Sequence, residues 1–331
     1  MSSSETIRAL VLLSGGLDSQ LATVLLKSQG IQVTAVVFKS IFFDAQPAVD
    51  AAARLDILLK VIDFNDTIIS LIEHPSHGFG AGLNPCIDCH TAMIRMAGNI
   101  MRENGFHFVA TGEVLNERPM SQNRRTLPLI AKESGLEGYL LRPLSAKLLD
   151  MTEPEKKKWV DREKLLALEG RSRKTQLALA REFGIASFPQ PAGGCLLTDP
   201  GYGQRLRDLR KHEGLRNITA IQLLRTGRHF RLGKLKLIVG RNKADNEILE
   251  RTVDNGTILL KVISVPGPVA IISRPASEAE LQLAAAICAR YSDNKTNVPV
   301  AIEVTDGKNG KGTRIIEALP AEQNIIDALR V

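Results

Sequence analysis

Ala9-Leu-Val-Leu-Leu13 is a short apolar run, and Ser14-Gly15-Gly16-Leu17-Asp18-Ser19 follows it directly. An apolar run bounded by glycines is typical of a strand that is buried inside a parallel sheet. Leu21 and Leu25 then recur at helical spacing, so we expect a helix to begin within the hexamer. Glycines let backbone amides approach a ligand closely, and a helix N-terminus attracts anions. The stretch therefore predicts a strand, loop and helix that bind phosphate.

The alternation of strand and helix continues beyond this stretch. Further strands are predicted at residues 33–38, 58–63 and 106–111, and helices at residues 48–55, 65–73, 93–103, 153–168 and 175–183. Strands that alternate with helices form parallel sheets with right-handed crossovers. The predicted fold class is therefore α/β, a parallel-sheet domain that is followed by a second, smaller α+β domain.

Length and composition are those of a folded globular protein. The chain has 331 residues, of which 44% are hydrophobic and 24% charged. This length predicts two domains, at residues 1–200 with a helical connector over 150–200, and at residues 205–331. No stretch approaches the roughly 18 apolar residues of a membrane span, and the polar N-terminus is unlike a signal peptide. We therefore expect a cytoplasmic protein, away from membranes, with reduced thiols.

The net charge of +7 is concentrated in the C-terminal part of the chain. Residues 201–331 hold 21 Lys and Arg against 14 Asp and Glu, whereas residues 1–200 are balanced. Within residues 205–243, 12 basic residues face only Asp208 and Glu213. The segment 230–239 alternates apolar and basic residues, which predicts one half-exposed basic strand. The electric field of such a concentration of positive charge attracts polyanions. A solvated basic surface without a partner remains the alternative.

Three of the four cysteines are candidates for chemistry. Asn84-Pro85-Cys86-Ile87-Asp88-Cys89-His90 places two of them at a predicted helix start, where the thiol pKa is expected to fall. Cys195 follows Gly193 and Gly194, which let the backbone approach a site closely. Three thiolates could hold a [4Fe–4S] cluster whose fourth iron takes an external ligand. The alternatives are a metal-free dithiol relay and a zinc site that includes His90, and Cys288 is predicted to be core.

The hexamer at residues 14–19 resembles the Ser-Gly-Gly-x-Asp-Ser loop of the PP-loop family of ATP pyrophosphatases. These enzymes cleave ATP between the α- and β-phosphates and adenylate a carbonyl or amide oxygen. More narrowly, residues 1–200 resemble the tRNA thiolation branch, the tRNA 2-thiouridylases and 4-thiouridine synthetases. The segments that carry this resemblance are Asn84-Pro-Cys-x-x-Cys89, Ala110-Thr-Gly-Glu113, Met120-Ser121-Gln122, Arg142-Pro143-Leu144 and Cys195.

The resemblance implies an ATP-dependent tRNA sulfurtransferase that adenylates a pyrimidine ring oxygen and replaces it with sulfur. It implies ATP and Mg²⁺ as cofactors, and sulfide or a persulfide carrier as the sulfur donor. The expected nucleotide contacts are Ser14, Gly15, Gly16, Leu17, Asp18, Ser19, Phe38 and Gly112. The expected catalytic residues are Cys86, Cys195 and Asp18, and the expected cluster ligands are Cys86, Cys89 and Cys195. Two interpretations are equally open for Arg171, Arg173 and Lys174: they bind phosphates of tRNA or ATP, or they lie at a solvated helix end.

The segment at about residues 205–315 resembles the RNA-binding domain of NFACT proteins. The similarity lies in Leu237-Ile-Val-Gly-Arg-Asn242, in Asn246-Glu-Ile-Leu249 and in residues 265–272. It implies tRNA as the partner, bound mainly through phosphates. The expected RNA contacts are Arg228, Arg231, Lys234, Lys236, Arg241 and Lys243.

Three other functions remain open from the residues alone. A PP-loop ligase on a small molecule would release pyrophosphate without RNA, and a sulfur-transfer enzyme would modify a cofactor. A non-catalytic RNA-binding protein would keep its RNA affinity after Ser14 and Asp18 are changed. A homodimer also remains open.

Overall fold

The structure, a computed structural model, describes residues 6–190, 194–294, 298–307 and 312–331. The chain divides into two compact units, Met1–Pro200 and Gly201–Val331. Gly193, one of the two glycines noted before Cys195, lies outside the described residues. None of the helices within the described residues is long and apolar enough to cross a membrane.

One parallel sheet forms the centre of the first unit. Within the described residues its strands are Arg8–Leu12 (β1), Gln32–Lys39 (β2), Leu58–Asp63 (β3), Phe108–Thr111 (β4) and Leu140–Leu141 (β5). They lie in the order β3-β2-β1-β4-β5, so that Leu10 of β1 pairs with Thr34 on one side and Val109 on the other. The connections change direction at β1, and in open parallel sheets ligands bind beyond the strand ends at such a point.

Helices cover both faces of this sheet, as the predicted α/β class requires. They are Leu17–Lys27 (α1), Gln46–Arg54 (α2), Asn65–Glu73 (α3), Cys86–Glu103 (α4), Thr126–Glu133 (α5), Glu153–Lys156 (α6) and Lys174–Glu182 (α7). Short 3₁₀ turns are at Ala146–Leu148, Arg162–Lys164 and Leu196–Thr198. Leu17 and Leu21 of α1 pack against Ala180 of α7 in one buried cluster, which docks α7 beside the first helix.

The helix predicted over residues 153–168 is wrong. Helical structure stops after Lys156, and Lys158 adopts a φ of 57°, which a helix does not allow. The chain bends so that Val160 enters the core and Trp159 packs edge-on against His107, with ring centroids 5.0 Å apart. Burial of these two side chains overrides the helical propensity of the surrounding charged residues.

The second unit contains an antiparallel sheet. Its strands are Arg228–Leu232 (β6), Leu235–Val239 (β7), Thr257–Val262 (β8), Val269–Ser273 (β9), Val300–Asp306 (β10) and Arg314–Ala318 (β11), in the order β11-β10-β8-β9-β7-β6. Its helices are Pro200–His212 (α8), Ile218–Leu223 (α9), Lys243–Thr252 (α10), Glu278–Arg290 (α11) and Gln323–Leu329 (α12). The main core lies between α11 and the sheet, and Cys288 is fully buried in it, as predicted.

The single half-exposed strand predicted over residues 230–239 is also wrong. The segment is a hairpin in which β6 and β7 pair, with Leu232 opposite Leu235 across a tight turn. Gly233 makes this turn possible because its φ of 59° strains any residue that carries a Cβ. Every residue of β7 is buried, so the alternation marks two covered faces and not a solvated one.

Candidate nucleotide and thiol site

The loop after β1 is folded to receive an anion. Ser14 Oγ accepts a hydrogen bond from the Gly16 amide at 3.3 Å, and Ser19 Oγ donates to the Gly16 carbonyl at 2.9 Å. Gly16 is the N-cap of α1, and no described side chain caps this helix end. The first-turn amides of α1 therefore remain available to a bound group, together with the positive end of the helix dipole. This arrangement suits a phosphate.

Two glycines let the backbone of this loop pack tightly. A Cβ on Gly15, whose φ is 80°, would lie 2.3 Å from the backbone of Pro47 at the start of α2. A Cβ on Gly112, directly after β4, would lie 2.5 Å from the Ser19 amide nitrogen. Neither position has room for a side chain. The backbone segments that follow β1 and β4 thus pack directly against each other beneath the anion site.

Asp18 lies in the first turn of α1 and faces α7. Burial raises the pKa of its carboxyl, opposed by the charge of Arg173, a hydrogen bond with Gln176 and the more distant charge of Arg118. Its Oδ1 atom is buried and finds no hydrogen-bond partner among the described residues. A buried carboxylate oxygen that is otherwise unpaired is a suitable ligand for a hard cation such as Mg²⁺.

Phe38, a predicted nucleotide contact, is buried near the end of β2. Its ring packs edge-on against Phe64, with centroids 5.4 Å apart. The side chain is thus part of the core beneath the loop, and its contact with a nucleotide stays a prediction.

The structure brings the three predicted site cysteines together. Cys86 and Cys89 occupy the first turn of α4. The loop before them is tied to the Cys195 segment, because the Leu83 amide donates to the Leu197 carbonyl at 3.2 Å. All three cysteines are free, and as whole residues they are of intermediate exposure. Asn84 Nδ2 donates a hydrogen bond to Cys86 Sγ at 3.0 Å, which fixes the position of this sulfur.

The expectation that the helix start lowers the thiol pKa is wrong for Cys89. Burial raises the pKa of Cys89 well above its usual range, and charges on Cys195, Cys86 and Asp88 add to this effect. Burial likewise raises the pKa of Cys195 to about 11, against backbone hydrogen bonds from Leu197 and Thr198. Desolvation and mutual repulsion of the sulfurs outweigh the helix dipole at this position.

The chemistry of this donor set fits an iron–sulfur cluster, although the arrangement is not that of a preformed metal centre. Across the described residues, no group of three or more His, Cys, Asp or Glu side chains is placed to hold a metal ion. Charge on Cys86 nevertheless contributes by repulsion to the raised pKa values of both Cys89 and Cys195, so the three sulfurs lie close together. Cationic iron relieves such repulsion and takes thiolate ligands. Cys86, Cys89 and Cys195 are the residues that would hold a cluster.

A buried ion pair connects the thiols to the loop. Glu113, next to Gly112, accepts hydrogen bonds from Arg142 Nε at 2.8 Å and from Thr111 Oγ1 at 3.1 Å. His90 Nδ1, one residue after Cys89, lies 3.0 Å from the other Glu113 oxygen. Burial alone would raise the pKa of Glu113, but Arg142 and His90 lower it to about 2. Glu113, the last residue of the Ala110-Thr-Gly-Glu113 segment, thus joins α4 to the end of β4.

His77 anchors the loop that precedes α4. Its Nδ1 atom lies 2.6 Å from Asp88 Oδ1, and its Nε2 atom lies 3.3 Å from Glu133. The hydrogen bond with Asp88 is the main reason that the pKa of His77 is raised. His77 and His90 are therefore both held by carboxylates.

The six predicted RNA contacts in the second unit fall into two groups. Lys234, Arg241 and Lys243 are exposed, although Arg241 also pairs with Asp245 at 2.7 Å. Arg231 is mostly buried and pairs with Asp208 and with Glu213, acidic residues on α8 and just after it.

Arg228 and Lys236 are also held within the unit. Arg228 NH1 donates to the Gly240 carbonyl at 3.2 Å, and its guanidinium lies over the ring of Tyr291. Lys236 is buried, and its Nζ atom has no hydrogen-bond partner within the described part of the chain. Burial lowers the pKa of Lys236 to about 8. The exposed positive charge is therefore smaller than the residue count suggests.

Three residues of the first unit escaped prediction as site residues. Gln176 is buried against Asp18, Asn84 contacts Cys86, and Arg118 acts electrostatically on both Asp18 and Cys195. Asn84 stands inside the cysteine motif and Arg118 in a loop after a predicted strand, which are weak signals. Gln176 has no sequence signal at all, because its position depends on the docking of α7.

Two family models match separate parts of the chain. Residues 4–149 match the family described as thiamine biosynthesis protein (ThiI), and residues 227–329 match the NFACT protein RNA binding domain. The cysteine loop, α4, β4 and the loop after β1 lie within the first match. Every strand of the second unit lies within the second match.

Curated relatives of the chain are described as tRNA-specific 2-thiouridylase MnmA. The protein of Bradyrhizobium sp. (strain ORS 278) is 28% identical over an alignment of 179 residues, and the match covers 46% of this chain and 45% of that protein. The protein of Xanthobacter autotrophicus is 26% identical over an alignment of 224 residues, and the match covers 61% of this chain and 54% of that protein. The chain thus spans about half the length of the curated relatives that it matches.

A solved structure described as a 4-thiouridine synthetase–RNA complex with bound ATP is also similar. It shares 21% identity and a TM-score of 0.35, covering 54% of this chain and 51% of that one. The two family matches and the two compact units agree on how the chain is organised. The chain thus contains a unit of α/β fold whose residues 4–149 match the ThiI family model, and a separate unit whose residues 227–329 match the model of the NFACT protein RNA binding domain.

Proposed function

We propose that the chain is an ATP-dependent tRNA sulfurtransferase, which adenylates a pyrimidine ring oxygen and replaces it with sulfur. The observation that carries the proposal is that one unit connects an anion-binding loop, which suits ATP, to a helix that bears cysteines, which suit sulfur transfer. Gly112 backs onto the anion-binding loop, and Glu113 beside it is bonded to His90 of the cysteine-bearing helix. The similarity to proteins described as tRNA 2-thiouridylases supports the same reaction.

The first step is adenylation of the base. The phosphates of ATP bind the first-turn amides of α1, and Asp18 Oδ1 is the group that would hold Mg²⁺. The ring oxygen attacks the α-phosphorus, and the bond to the β-phosphate oxygen breaks. Pyrophosphate leaves with the electron pair, and the oxygen becomes part of a good leaving group, AMP. Catalysis of this step rests on positioning and on charge neutralisation.

The second step replaces that oxygen with sulfur. A bound [4Fe–4S] cluster would supply an iron site at which sulfide is held as the nucleophile. Around it, the chain's own residues fix the geometry, because the Leu83–Leu197 hydrogen bond holds the Cys195 segment beside α4. A sulfur atom attacks the ring carbon and AMP leaves with the original oxygen, whether the sulfur comes from sulfide at a cluster or from a cysteine persulfide.

A metal-free relay is the second candidate, and the hydrogen bond from Asn84 to Cys86 Sγ supports it because it positions this sulfur. In this route the terminal sulfur of a persulfide on Cys195 attacks the ring. The Cys86 thiolate then attacks Cys195 Sγ, so that a disulfide forms and the sulfur stays on the base, or the two cysteines exchange roles. A dithiol reductant must afterwards reduce the disulfide. Iron-free, colourless protein that still thiolates tRNA would exclude the cluster route.

The experiment that tests the proposal is mass spectrometry of tRNA nucleosides. We expect one thionucleoside to disappear when the gene is deleted and to return with the wild-type gene. The Asp18→Asn variant is expected not to restore it, since it removes the charge that faces α7 and the phosphate site. If every thionucleoside persists after deletion, the proposed function is wrong.

We further propose that the second unit binds tRNA through its exposed lysines, Lys234 and Lys243. Each lysine that contacts a phosphate contributes about 1 to the slope of log K against log salt. We therefore expect Lys234→Ala with Lys243→Ala to weaken tRNA binding and to reduce this slope by about 2, as measured by filter binding from about 50 to 200 mM salt.

Lys261→Ala is the matched control for this pair. Lys261 is also exposed and lies on β8, but its ammonium is 3.1 Å from Glu250 and is thus already neutralised. We expect its binding curve to match that of the wild-type chain. An unchanged slope in the Lys234 and Lys243 variant would show that RNA lies elsewhere.

A further inference from the structure

Three polar atoms beside the start of α1 are buried without hydrogen-bond partners among the residues that the structure describes. They are Asp18 Oδ1, Arg173 Nε and Gln176 Oε1. Arg173 is the N-cap of α7, and Gln176 lies in the first turn of that helix. Buried polar atoms are rarely left unpaired. Three of them where α1 meets α7 therefore indicate a bound group.

The position of α7 is fixed by contacts with the loop itself. Gln20 Nε2 donates to the Gly15 carbonyl at 2.7 Å and to the Ser187 carbonyl, just beyond α7, at 3.1 Å. Leu17 and Leu21 pack against Ala180 in a buried cluster. These contacts hold the C-terminal part of α7 and the segment after it against α1, and Gln176 in its first turn interacts with Asp18, so α7 forms one wall beside the anion-binding loop.

Arg173 supplies positive charge at this wall. Gln176 is only 1% exposed, and its side chain is hydrogen-bonded to Asp18. The guanidinium of Arg173 lies 5.7 Å from the centre of the Phe188 ring and acts electrostatically on Asp18 and Glu117. A guanidinium carries five donors in a planar fork, which matches phosphate oxygens in a bidentate manner.

We propose that Arg173 is a phosphate-binding residue of the nucleotide site and holds the pyrophosphate part of ATP. The inference rests on the proposed function, because it assigns a role within the same ATP site. Attack on the α-phosphorus expels pyrophosphate in line with the incoming oxygen. The thiol-bearing helix connects to α1 through Glu113 and Gly112, whereas Arg173 reaches α1 from α7. Arg173 is thereby placed for the leaving group, where it neutralises the charge that develops.

The test is calorimetric titration of the full chain, without tRNA, using ATP, AMP and pyrophosphate with Mg²⁺. We expect Arg173→Ala to weaken binding of ATP and of pyrophosphate by about 10- to 100-fold, the value of one charge-assisted contact. AMP lacks the bound phosphates, so its affinity is expected to change less than about 2-fold. Arg173→Lys, which keeps the charge but not the fork, is expected to lie between these values and replaces the alanine variant if that unfolds.

Arg181→Ala is the control, since Arg181 is exposed at the far end of the same helix. We expect it to bind all three ligands as the wild-type chain does. Equal losses for AMP and ATP in Arg173→Ala would indicate a structural role and overturn the inference, as would an unchanged ATP affinity. A wild-type chain that fails to bind ATP would instead overturn the proposed function, and this inference with it.

Discussion

Replacement of Cys195 or of Cys86 by serine is expected to abolish tRNA thiolation, with a loss of at least about 10³-fold in rate. Both residues take part in the cluster route and in the relay route, and a serine hydroxyl can neither ligate iron as thiolate does nor carry a persulfide. The rate of thionucleoside formation on unmodified tRNA, with ATP and a sulfur donor, is the measurement. ATP binding is expected to be preserved, because the anion-binding loop lies on α1 and not on α4.

Cys288→Ala is the matched control for these variants. Cys288 is fully buried in the core of the second unit, where burial raises its pKa to about 12. It has no route to the reaction, so the variant is expected to thiolate at the wild-type rate. Full activity in Cys195→Ser would contradict both sulfur routes together.

Cys89→Ser separates the two routes. A three-cysteine cluster needs Cys89 as a ligand, whereas the relay uses only Cys86 and Cys195. Loss of activity together with loss of iron supports the cluster, and retained activity supports the relay.

Replacement of Arg142 by methionine is expected to destabilise the first unit by about 3–5 kcal/mol. The change removes the guanidinium that donates to Glu113 at 2.8 Å and leaves a carboxylate that is 5% exposed without its main partner. Lys156→Met is the control, because its pair with Glu153 at 3.1 Å lies on the surface and contributes less than about 1 kcal/mol. Equilibrium unfolding in urea measures both variants.

The destabilisation is expected to depend on pH in a defined direction. The pKa of Glu113 is lowered in the folded chain from 4.5 to about 2, so its stabilising effect is complete above pH 4.5 and is lost as the pH falls towards 2. The difference between wild type and Arg142→Met should therefore shrink over this window. A difference that stays constant from pH 7 to about pH 3 would show that the charge of Glu113 does not cause it.

The sequence contained most of what locates the site. The apolar run before Ser14 and the glycines after it correctly predicted a buried parallel strand, a tight loop and the start of α1. Cys86 and Cys89 lie at a helix start as expected, although α4 begins at Cys86 and not at the predicted residue 93. These features succeed because they are local, since each depends on residues within one or two turns of the chain.

The features that the sequence did not reveal depend on distant contacts. Nothing near residue 158 indicates that Trp159 will pack against His107, yet this contact ends the helix. The raised pKa values of Cys89 and Cys195 arise from burial among residues far apart in sequence. The buried hairpin of β6 and β7 likewise depends on α8, whose Asp208 pairs with Arg231. Counting charges along the chain cannot show which of them are neutralised in the fold.

The close approach of Gly112 to Asp18 and Ser19 has a consequence for how the nucleotide site arises during folding. The loop after β1 gains its packing against Gly112 only when β4 pairs with β1. The paired residues Leu10 and Val109 are widely separated along the chain. Pairings of such high contact order form slowly and late. The site is therefore completed by the pairing of β4 with β1 and cannot be carried by the N-terminal segment alone. A nucleotide that binds it selects chains in which β4 has already paired with β1.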